Sequence, residues 1–222
     1  RAFCLSRGLG DVYKRQVPGL AIASRTVGSP QIRNRGTVGG NLGSASPAGD
    51  AHPPLLAADA VIEVASVRGE RRIPAPEFYT GVKRNALEPD ELIAGFTVAV
   101  ANGPQQFSKI GTRNAMVIAV ASFALALHPE RGHVGTGIGS AAPTPRRAYE
   151  AEAFLEGELT AGNLWETRAP ISASLSVQFA QLVVSAASPI DDVRGSAAYR
   201  RHALRVMATR TLTWAWADYR RM

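Results

Sequence analysis

The stretch from Gln31 to Asp50 combines residue types that can bind a phosphate-bearing ligand; it reads QIRNRGTVGGNLGSASPAGD. Gly39 and Gly40 let the backbone approach a bound group, and successive amide donors in such a loop can form a concavity that suits a pyrophosphate. Thr37 and Asn41 add a hydroxyl and an amide at either end, and Asp50 could accept hydrogen bonds from ribose hydroxyls. Taken alone, Gly-Gly-Asn is explained as well by a structural turn with a surface aspartate, because short glycine motifs recur by chance.

Other chemical motifs are absent from the sequence or weak. There is no Gly-Lys-Ser/Thr of a P-loop and no G-x-G-x-x-G fingerprint that opens a helix. We interpret GTGIG at 135–139 as a strand with close backbone packing. Ser44, Ser46 and His52 lie near the glycine-rich stretch, but no G-x-S-x-G elbow supports a hydrolase. We therefore nominate no catalytic base or nucleophile.

Composition and charge exclude several classes of protein. The net charge is +7, but no basic run is interleaved with aromatic residues, so we expect no nucleic-acid binding. One cysteine excludes a disulfide framework and a cysteine-ligated cluster held by this chain alone, and the four histidines have no metal-ligand spacing. The longest apolar run, 117–127, is too short for a membrane span. We expect a cytoplasmic protein without a metal site.

The first sixteen residues look foreign to the rest. The segment at 6–16 reads SRGLGDVYKRQ, which can be encoded by a transposase adaptor used in sequencing libraries. Our hypothesis is that 1–16 is translated adaptor, so that Cys4 is not native and the natural chain begins near Val17. The alternative is a natural N-terminal helix or strand.

Periodicity and turn residues predict mixed helices and strands. In the first half we expect a helix at 18–27, a glycine-rich loop at 31–41, and a strand at 60–67 whose hairpin turn at 68–71 leads into a return strand that starts at 72–73. A short helix at 76–79 and a second strand at 91–100 follow. In the second half we expect strands at 107–111 and 134–140, forming an antiparallel sheet with 117–127, although 117–127 is also compatible with a helix. Helices follow at 145–155, within 160–187 (capped by Thr160 and broken by Pro170) and at 196–216.

Several segments together resemble one family. IRNRGTVGGNLGSASPAGD is similar to the second flavin-binding segment of the FAD domains of the molybdenum hydroxylases, the family of xanthine dehydrogenases and aerobic carbon monoxide dehydrogenases. Four further segments resemble later family signatures in the same order: KRNALEPDELI at 83–93, FSKIGTR at 107–113, PTPRRA at 143–148 and PIDDVRGSAAYRR at 189–201. The resemblance extends from Val17 to about Arg210. An earlier glycine loop of the family, of the form Ala-Gly-Gly-Thr-(Asn/Asp)-Leu, is not in this sequence.

This resemblance implies a fold and a set of flavin contacts. The fold would be α+β: part of an FAD-binding domain of the PCMH/vanillyl-alcohol-oxidase-like type at 17–104, then a C-terminal α+β domain at 105–210 with a three-stranded antiparallel sheet and helices, and a tail at 211–222. The implied contacts to FAD are Thr37, Val38, Gly39, Gly40 and Asn41 at the pyrophosphate and adjacent sugar, Asp50 at the adenosine part, Ile93 near the isoalloxazine and Lys109 at the flavin end. Without the family, Ile93 would be interpreted as core and Lys109 as a solvated surface lysine.

The resemblance also implies a function. The chain would be the FAD-carrying electron-transfer subunit of a molybdenum hydroxylase, an oxidoreductase that accepts electrons from iron–sulfur clusters and passes them to an external acceptor. The molybdopterin cofactor would be held by a large partner subunit and two [2Fe–2S] clusters by a small one, in a dimer of heterotrimers. Alone, this fragment is expected to be inactive and to bind FAD weakly or not at all. The alternative is a non-catalytic assembly scaffold for the partner subunits, without a functional flavin.

Overall fold

The computed structural model describes residues 15–222. The adaptor hypothesis concerns residues that lie almost entirely outside this range. It stays a prediction, and so does the inference that Cys4 is not native. Across the described residues the chain forms two α+β halves, each with its own antiparallel three-stranded sheet. This confirms the predicted fold class.

From Pro18 onward, the first half has four short helices ahead of a small sheet. The helices are α1 (Pro18–Arg25), α2 (Pro30–Arg35), α3 (Val38–Ser44) and α4 (His52–Ala57). The sheet has the order β2-β1-β5 and consists of β1 (Val61–Ser66), β2 (Gly69–Pro74) and β5 (Leu92–Thr97), with α5 (Ala75–Phe78), β3 (Tyr79–Gly81) and β4 (Arg84–Asn85) between β2 and β5. The alternating pattern of β1 buries Ile62 and Val64 in the core of this half.

The second half is built on the sheet β6-β7-β8, which is antiparallel as predicted: β6 (Gln105–Ile110), β7 (Ala121–His128) and β8 (His133–Gly139), with a 3₁₀ turn at Pro129–Arg131. Every residue of β7 is buried, because helices cover both faces of the sheet. Small residues, Ala124 and Ala126, point to the side of α1 and α4, whereas Phe123 and Leu125 point to the C-terminal helices. Two-sided burial explains why the apolar run at 117–127 did not distinguish a strand from a helix.

Four helices complete the second half: α6 (Tyr149–Ala161), α7 (Leu164–Thr167), α8 (Ala173–Ser185) and α9 (Ala197–Tyr219). The predicted cap was wrong: Thr160 lies in the last turn of α6, and the hydroxyl of Ser172 accepts from Leu175 N to cap α8. The predicted tail also differs from the structure. Helix α9 continues to Tyr219 and buries Leu212 and Trp216, so residues 211–219 pack with the rest of this half.

Helix α4 joins the two halves by packing its backbone directly on β8. A Cβ atom added to Gly135 would lie 2.0 Å from the carbonyl oxygen of Ala57, and one added to Gly137 would lie 2.0 Å from that of Pro53. No side chain fits at either position. The GTGIG segment is therefore a strand with close backbone packing, as predicted.

Candidate functional site

The glycine-rich segment is helical rather than the loop that we predicted. Thr37 is the N-cap of α3, and its hydroxyl accepts from Gly40 N at 2.9 Å. The first amides of a helix have no carbonyl partner within it, so those of Val38 and Gly39 point out of the helix end. The backbone amides available to a ligand therefore come from the first turn of a helix rather than from a loop. At that end of a helix the peptide dipoles also favour an anion.

Three glycines lie within the seven residues of α3, and two of them are not required by the chain's own packing. A Cβ on Gly39 or Gly43 would meet Ile93 at 3.9 or 3.8 Å, which is ordinary contact. Neither glycine has a positive φ. Each glycine inside a helix costs about 1 kcal/mol relative to alanine. The room for one added side-chain atom beside Gly39 can therefore admit an external group that approaches the backbone closely.

Two other residues of the predicted set support this helix. The side-chain oxygen of Asn41 accepts from Ala51 N at 3.3 Å, which ties α3 to the start of α4. Val38 is half-buried and packs on the core of the first half. Ile93, from β5, is also half-buried and is the side chain that faces Gly39 and Gly43.

Asp50 and Lys109 form a buried ion pair. Lys109 Nζ lies 2.5 Å from Asp50 Oδ2, and the side chains are only 8% and 5% exposed. Thr26 completes the cluster: its hydroxyl donates to the same carboxylate oxygen at 3.0 Å, and its carbonyl accepts from Lys109 at 3.1 Å. The other carboxylate oxygen, Asp50 Oδ1, is buried without a hydrogen-bond partner. Burial raises the pKa of Asp50, and the hydrogen bond and charge of Lys109 offset only part of this shift.

The structure thus unites two residues for which the sequence predicted different roles. Asp50 was expected at the adenosine part of the ligand and Lys109 at the flavin end, yet they are in direct contact. The interpretation of Lys109 as a solvated surface lysine is wrong, because its ammonium is buried and paired. The individual contacts to FAD stay predictions.

Family models match both halves of the chain. Residues 5–99 match the FAD binding domain in molybdopterin dehydrogenase, and residues 106–215 match the CO dehydrogenase flavoprotein C-terminal domain. The glyceraldehyde dehydrogenase medium chain of Sulfolobus acidocaldarius is 32% identical over 200 residues, which are 89% of this chain and 67% of that protein. The chain belongs to the FAD-binding subunits of the molybdopterin dehydrogenases.

Other members of this flavoprotein family agree. The xanthine dehydrogenase FAD-binding subunit of Escherichia coli O157:H7 is 30% identical over 215 residues, covering 92% of this chain and 68% of that one. A solved structure of carbon monoxide dehydrogenase from Hydrogenophaga pseudoflava superimposes with a TM-score of 0.83 at 28% identity, over 94% of this chain and 70% of the other. The resemblance drawn from the motifs is confirmed, and FAD is the cofactor of this family.

The flavoprotein also has a basic cavity that sequence reasoning missed. It measures about 600 Å³ and borders the Thr26–Lys109 cluster. Its lining includes four cationic side chains and no carboxylate: Arg25, Arg33, Lys109 and Arg113. These cations come from α1, α2, β6 and the loop after β6, so only the fold brings them together. No short motif in the sequence signals the cavity.

His52 is a buried structural residue of the flavoprotein rather than a catalytic base. Its Nδ1 lies 2.8 Å from the hydroxyl of Tyr79. Burial lowers the pKa of His52 to about 4, so the ring is neutral at pH 7. Within residues 15–222, no group of three or more histidine, cysteine, aspartate or glutamate side chains is arranged to hold a metal ion. In the same part of the chain, every helix is too short or too polar to serve as a membrane span.

Proposed function

We propose that the start of α3 forms part of an FAD site, completed by the family's first glycine loop, in the electron-transfer subunit of a cytoplasmic molybdenum hydroxylase. Thr37 to Asn41 would hold the pyrophosphate and adjacent sugar. Asp50 would contact the adenosine part, Ile93 would pack near the isoalloxazine, and Lys109 would contact the flavin end. Electrons would arrive from [2Fe–2S] clusters in a small partner subunit, after substrate oxidation at the molybdopterin of a large one, in a dimer of heterotrimers. Bound FAD supplies the redox chemistry, because it can accept and release electrons singly or in pairs.

The glycine content of α3 carries this proposal. The helix gives up about 2 kcal/mol or more of intrinsic helix propensity at its three glycines, and the chain itself gains no packing in return at Gly39 and Gly43. A pyrophosphate that contacts the free amides of Val38 and Gly39 needs that open space. The same ligand would be stabilised by the positive end of the helix dipole.

The Asp50–Lys109 pair fits a ligand with hydroxyl and anionic groups. The unpartnered Oδ1 of Asp50 is buried and can accept from a sugar hydroxyl. A buried acceptor that lacks a partner costs about 1–3 kcal/mol, so a hydroxyl that satisfies it gains affinity. Beside this pair, the three arginines of the basic cavity favour an anionic ligand or electron acceptor.

The decisive experiment is substitution of Gly39 by alanine in a complete subunit that includes the first glycine loop. Because the added methyl group meets only ordinary contact within the chain, the melting temperature should not fall. The methyl group would, however, occupy the approach of the pyrophosphate. We expect the dissociation constant for FAD, measured by flavin fluorescence, to rise roughly tenfold or more.

Gly157→Ala is the matched control, since an added Cβ there meets nothing within 4 Å and lies in α6, away from α3. It should leave FAD affinity unchanged. Equal FAD affinity for Gly39→Ala and wild type would remove the proposed contact at α3.

The chain of 222 residues should bind FAD weakly or not at all, and be inactive alone, because the first glycine loop is not part of its sequence. An absorbance spectrum after purification with added FAD measures this. Stoichiometric, tight binding would contradict it. A complete subunit that is colourless and takes up no flavin would instead favour the alternative function, an assembly scaffold.

A further inference from the structure

Thr26 contacts both members of the buried Asp50–Lys109 pair. Its hydroxyl lies 3.0 Å from Asp50 Oδ2, and its backbone carbonyl accepts from Lys109 Nζ at 3.1 Å. No other residue among 15–222 forms hydrogen bonds to both the carboxylate and the ammonium. Thr26 is the C-cap residue of α1, so the end of that helix fixes the direction of both contacts. One half-buried threonine therefore holds an acidic and a basic side chain in a single arrangement.

The hydrogen bonds of Lys109 leave one of its N–H groups available. An ammonium has three N–H donors. One donates to Asp50 Oδ2 at 2.5 Å and another to the carbonyl of Thr26, and residues 15–222 supply no third acceptor. Lys109 and Thr26 both line the basic cavity, whereas Asp50 does not. The third N–H of Lys109 is thus the polar group that the pair offers to a ligand in the cavity.

The pair can donate to a ligand without adding net charge while Asp50 is ionised. A carboxylate 2.5 Å away neutralises Lys109, so its third N–H favours an uncharged acceptor, such as a carbonyl oxygen, over a second anion. The isoalloxazine ring, where the proposed function places Lys109, carries carbonyl oxygens and ring nitrogens of this kind. Hydrogen bonds and charge at such atoms are the means by which a protein tunes a flavin.

The hydroxyl of Thr26 can serve either protonation state of Asp50. It lies 2.7 Å from the carbonyl oxygen of Ala23 as well as 3.0 Å from Asp50 Oδ2, and it has one proton to donate. A hydroxyl rotates, and it both donates and accepts. It can donate to an ionised Asp50, or it can donate to Ala23 and accept from a protonated Asp50. A valine at this position would have a similar shape and could do neither.

We propose that Thr26 is a positioning residue of the flavin site: its hydroxyl and carbonyl hold Asp50 and Lys109 so that the available N–H of Lys109 meets an acceptor on the ligand. Thr26 acts through Lys109 rather than by touching FAD. The proposal rests on the proposed function, since it names what orients a contact of that same site. Thr26 precedes Asp50 by 24 positions and Lys109 by 83, so only the fold brings the three together.

The test uses the complete subunit with Thr26→Val, which removes the hydroxyl and keeps the shape. We expect the dissociation constant for FAD at pH 7, measured by flavin fluorescence, to rise roughly fivefold, the effect of losing one hydrogen bond. Thr26→Ser keeps the hydroxyl and should stay within about twofold of wild type. Unchanged affinity in Thr26→Val would overturn the proposal.

Thr211→Val is the matched control. Thr211 is fully buried, and its hydroxyl lies 2.8 Å from that of Ser108, the neighbour of Lys109 on the opposite face of β6. The variant removes a hydrogen bond of the same kind, so it should lower the melting temperature and leave FAD affinity unchanged. An equal loss of FAD affinity in Thr26→Val and Thr211→Val would reduce Thr26 to a structural residue and refute the proposal.

A second background, Lys109→Met, shows whether Thr26 acts through Lys109. With no ammonium to direct, adding Thr26→Val should change FAD affinity by less than about twofold. The same fivefold loss in both backgrounds would mean that Thr26 acts independently of Lys109, against the proposal.

The pH profile of FAD affinity gives a readout that a merely structural role would not move. Burial raises the pKa of Asp50, and the contacts of Lys109 and then Thr26 lower it in part. Loss of the hydroxyl should therefore move the protonation of Asp50, and the change in FAD affinity that accompanies it, to higher pH. Among residues 15–222, Lys109 is the one charged group in contact with Asp50, and the pKa of nearby His52 is about 4.

Profiles between pH 5 and pH 8 that coincide for wild type and Thr26→Val would contradict the role of Thr26. The arginines that line the cavity stay charged across this range, so they do not contribute to the difference. A wild-type subunit that takes up no FAD would refute the proposed function and this inference together. Normal FAD binding by both wild type and Thr26→Val would overturn this inference alone.

Discussion

Helix α4 has an aspartate two residues before its start and another two residues after its end, and the pKa values of the two are shifted in opposite directions. Asp50, at the start, is almost fully buried with one cationic partner, Lys109, and one carboxylate oxygen without a partner. Asp59, after the end, is 31% exposed and contacts Arg131, Arg147 and the ring of His133. Burial raises the pKa of Asp50. At Asp59 burial acts in the same direction, but the hydrogen bonds and charges of His133, Arg147 and Arg131 outweigh it and hold the pKa well below its usual range.

The comparison separates a stabilising contact from a binding contact on one buried helix. At its C-terminal end, α4 is fixed by ion pairs whose polar groups satisfy one another. At its N-terminal end it presents a carboxylate whose burial is incompletely compensated within the chain. Buried polar groups without partners are costly, and they persist where a ligand can satisfy them. The difference indicates that the rigid end positions the other end, where we place the ligand.

The largest effect should come from Arg147→Met. Arg147 is 7% exposed and joins Asp59 to Glu152, which is itself buried and accepts from Thr136. Removing one partner of a buried ionic cluster leaves unpaired charges and costs about 3–5 kcal/mol. We expect a loss of that order in the free energy of unfolding, measured by urea denaturation. Arg131→Met is the control: Arg131 is 51% exposed, so its loss should cost less than about 1 kcal/mol. Equal costs would show that Asp59, rather than Arg147, organises this end.

Gly137→Ala should move α4 away from β8. Its Cβ would lie 2.0 Å from the carbonyl oxygen of Pro53, so the helix backbone must shift. Overpacking of this kind costs about 1–3 kcal/mol. Because Asp50 lies two residues before the start of α4, FAD affinity of the complete subunit should fall together with stability. Gly157→Ala, where the methyl group has open space within a helix, should instead raise stability by up to about 1 kcal/mol. Unchanged stability for Gly137→Ala would mean that α4 and β8 tolerate separation.

The sequence predicted the parts of this arrangement that depend on local pattern. Alternation and turn residues located β1, β2, β6 and β8, and the alternating glycines at 135–139 indicated a strand that another backbone approaches closely. They could not indicate which backbone, because the partner, α4, lies about eighty residues earlier in the chain. The sequence-derived resemblance to the flavoprotein family was confirmed as well, since several ordered motifs specify a family far better than one.

What the sequence missed depends on contacts between distant residues. The Asp50–Lys109 pair joins residues separated by 59 positions, and the Arg147–Asp59 pair joins residues separated by 88. The helical state of α3 was missed because three glycines lower helix propensity, and the cap from Thr37 and packing on the core outweigh that preference. The continuation of α9 from residue 216 to Tyr219 depends on the contact of Tyr219 with Trp165 of α7, which lies beyond the predicted end of the helix.

Asparagine substitutions test the comparison directly. Asp59→Asn should cost about 1–3 kcal/mol, because it removes the negative charge that three neighbours contact. Asparagine tolerates the positive φ of 52° at this position, so the change isolates the charge. Asp50→Asn should cost less than Asp59→Asn although Asp50 is more buried, because folding disfavours the ionised form of Asp50.

The pH dependence of these two variants should have opposite signs. The folded-state pKa of Asp59 is lowered, so its stabilising contribution is present above about pH 4 and is lost as the pH falls. The folded-state pKa of Asp50 is raised, so wild type gains stability relative to Asp50→Asn as the pH falls through that pKa. Chemical denaturation between pH 3 and pH 7 measures both slopes. Slopes of the same sign would contradict the distinction between the two ends.

The smallest effect should come from His133, which borders Asp59 and lies 2.6 Å from Glu156. The hydrogen bond and charge of Asp59, followed by those of Glu156, raise the pKa of His133. Its contribution to stability is therefore fully present below about pH 6.5 and is lost as the pH rises through the folded-state pKa. His133→Gln should be less stable than wild type by about 1 kcal/mol or less at pH 6, and the gap should narrow by pH 9. The control is His128, which stacks on His133 but whose pKa is lowered by burial. For His128→Gln, the difference in free energy of unfolding from wild type should instead widen as the pH rises. If the differences for both variants changed in the same direction with pH, the carboxylates near His133 would not stabilise its charge.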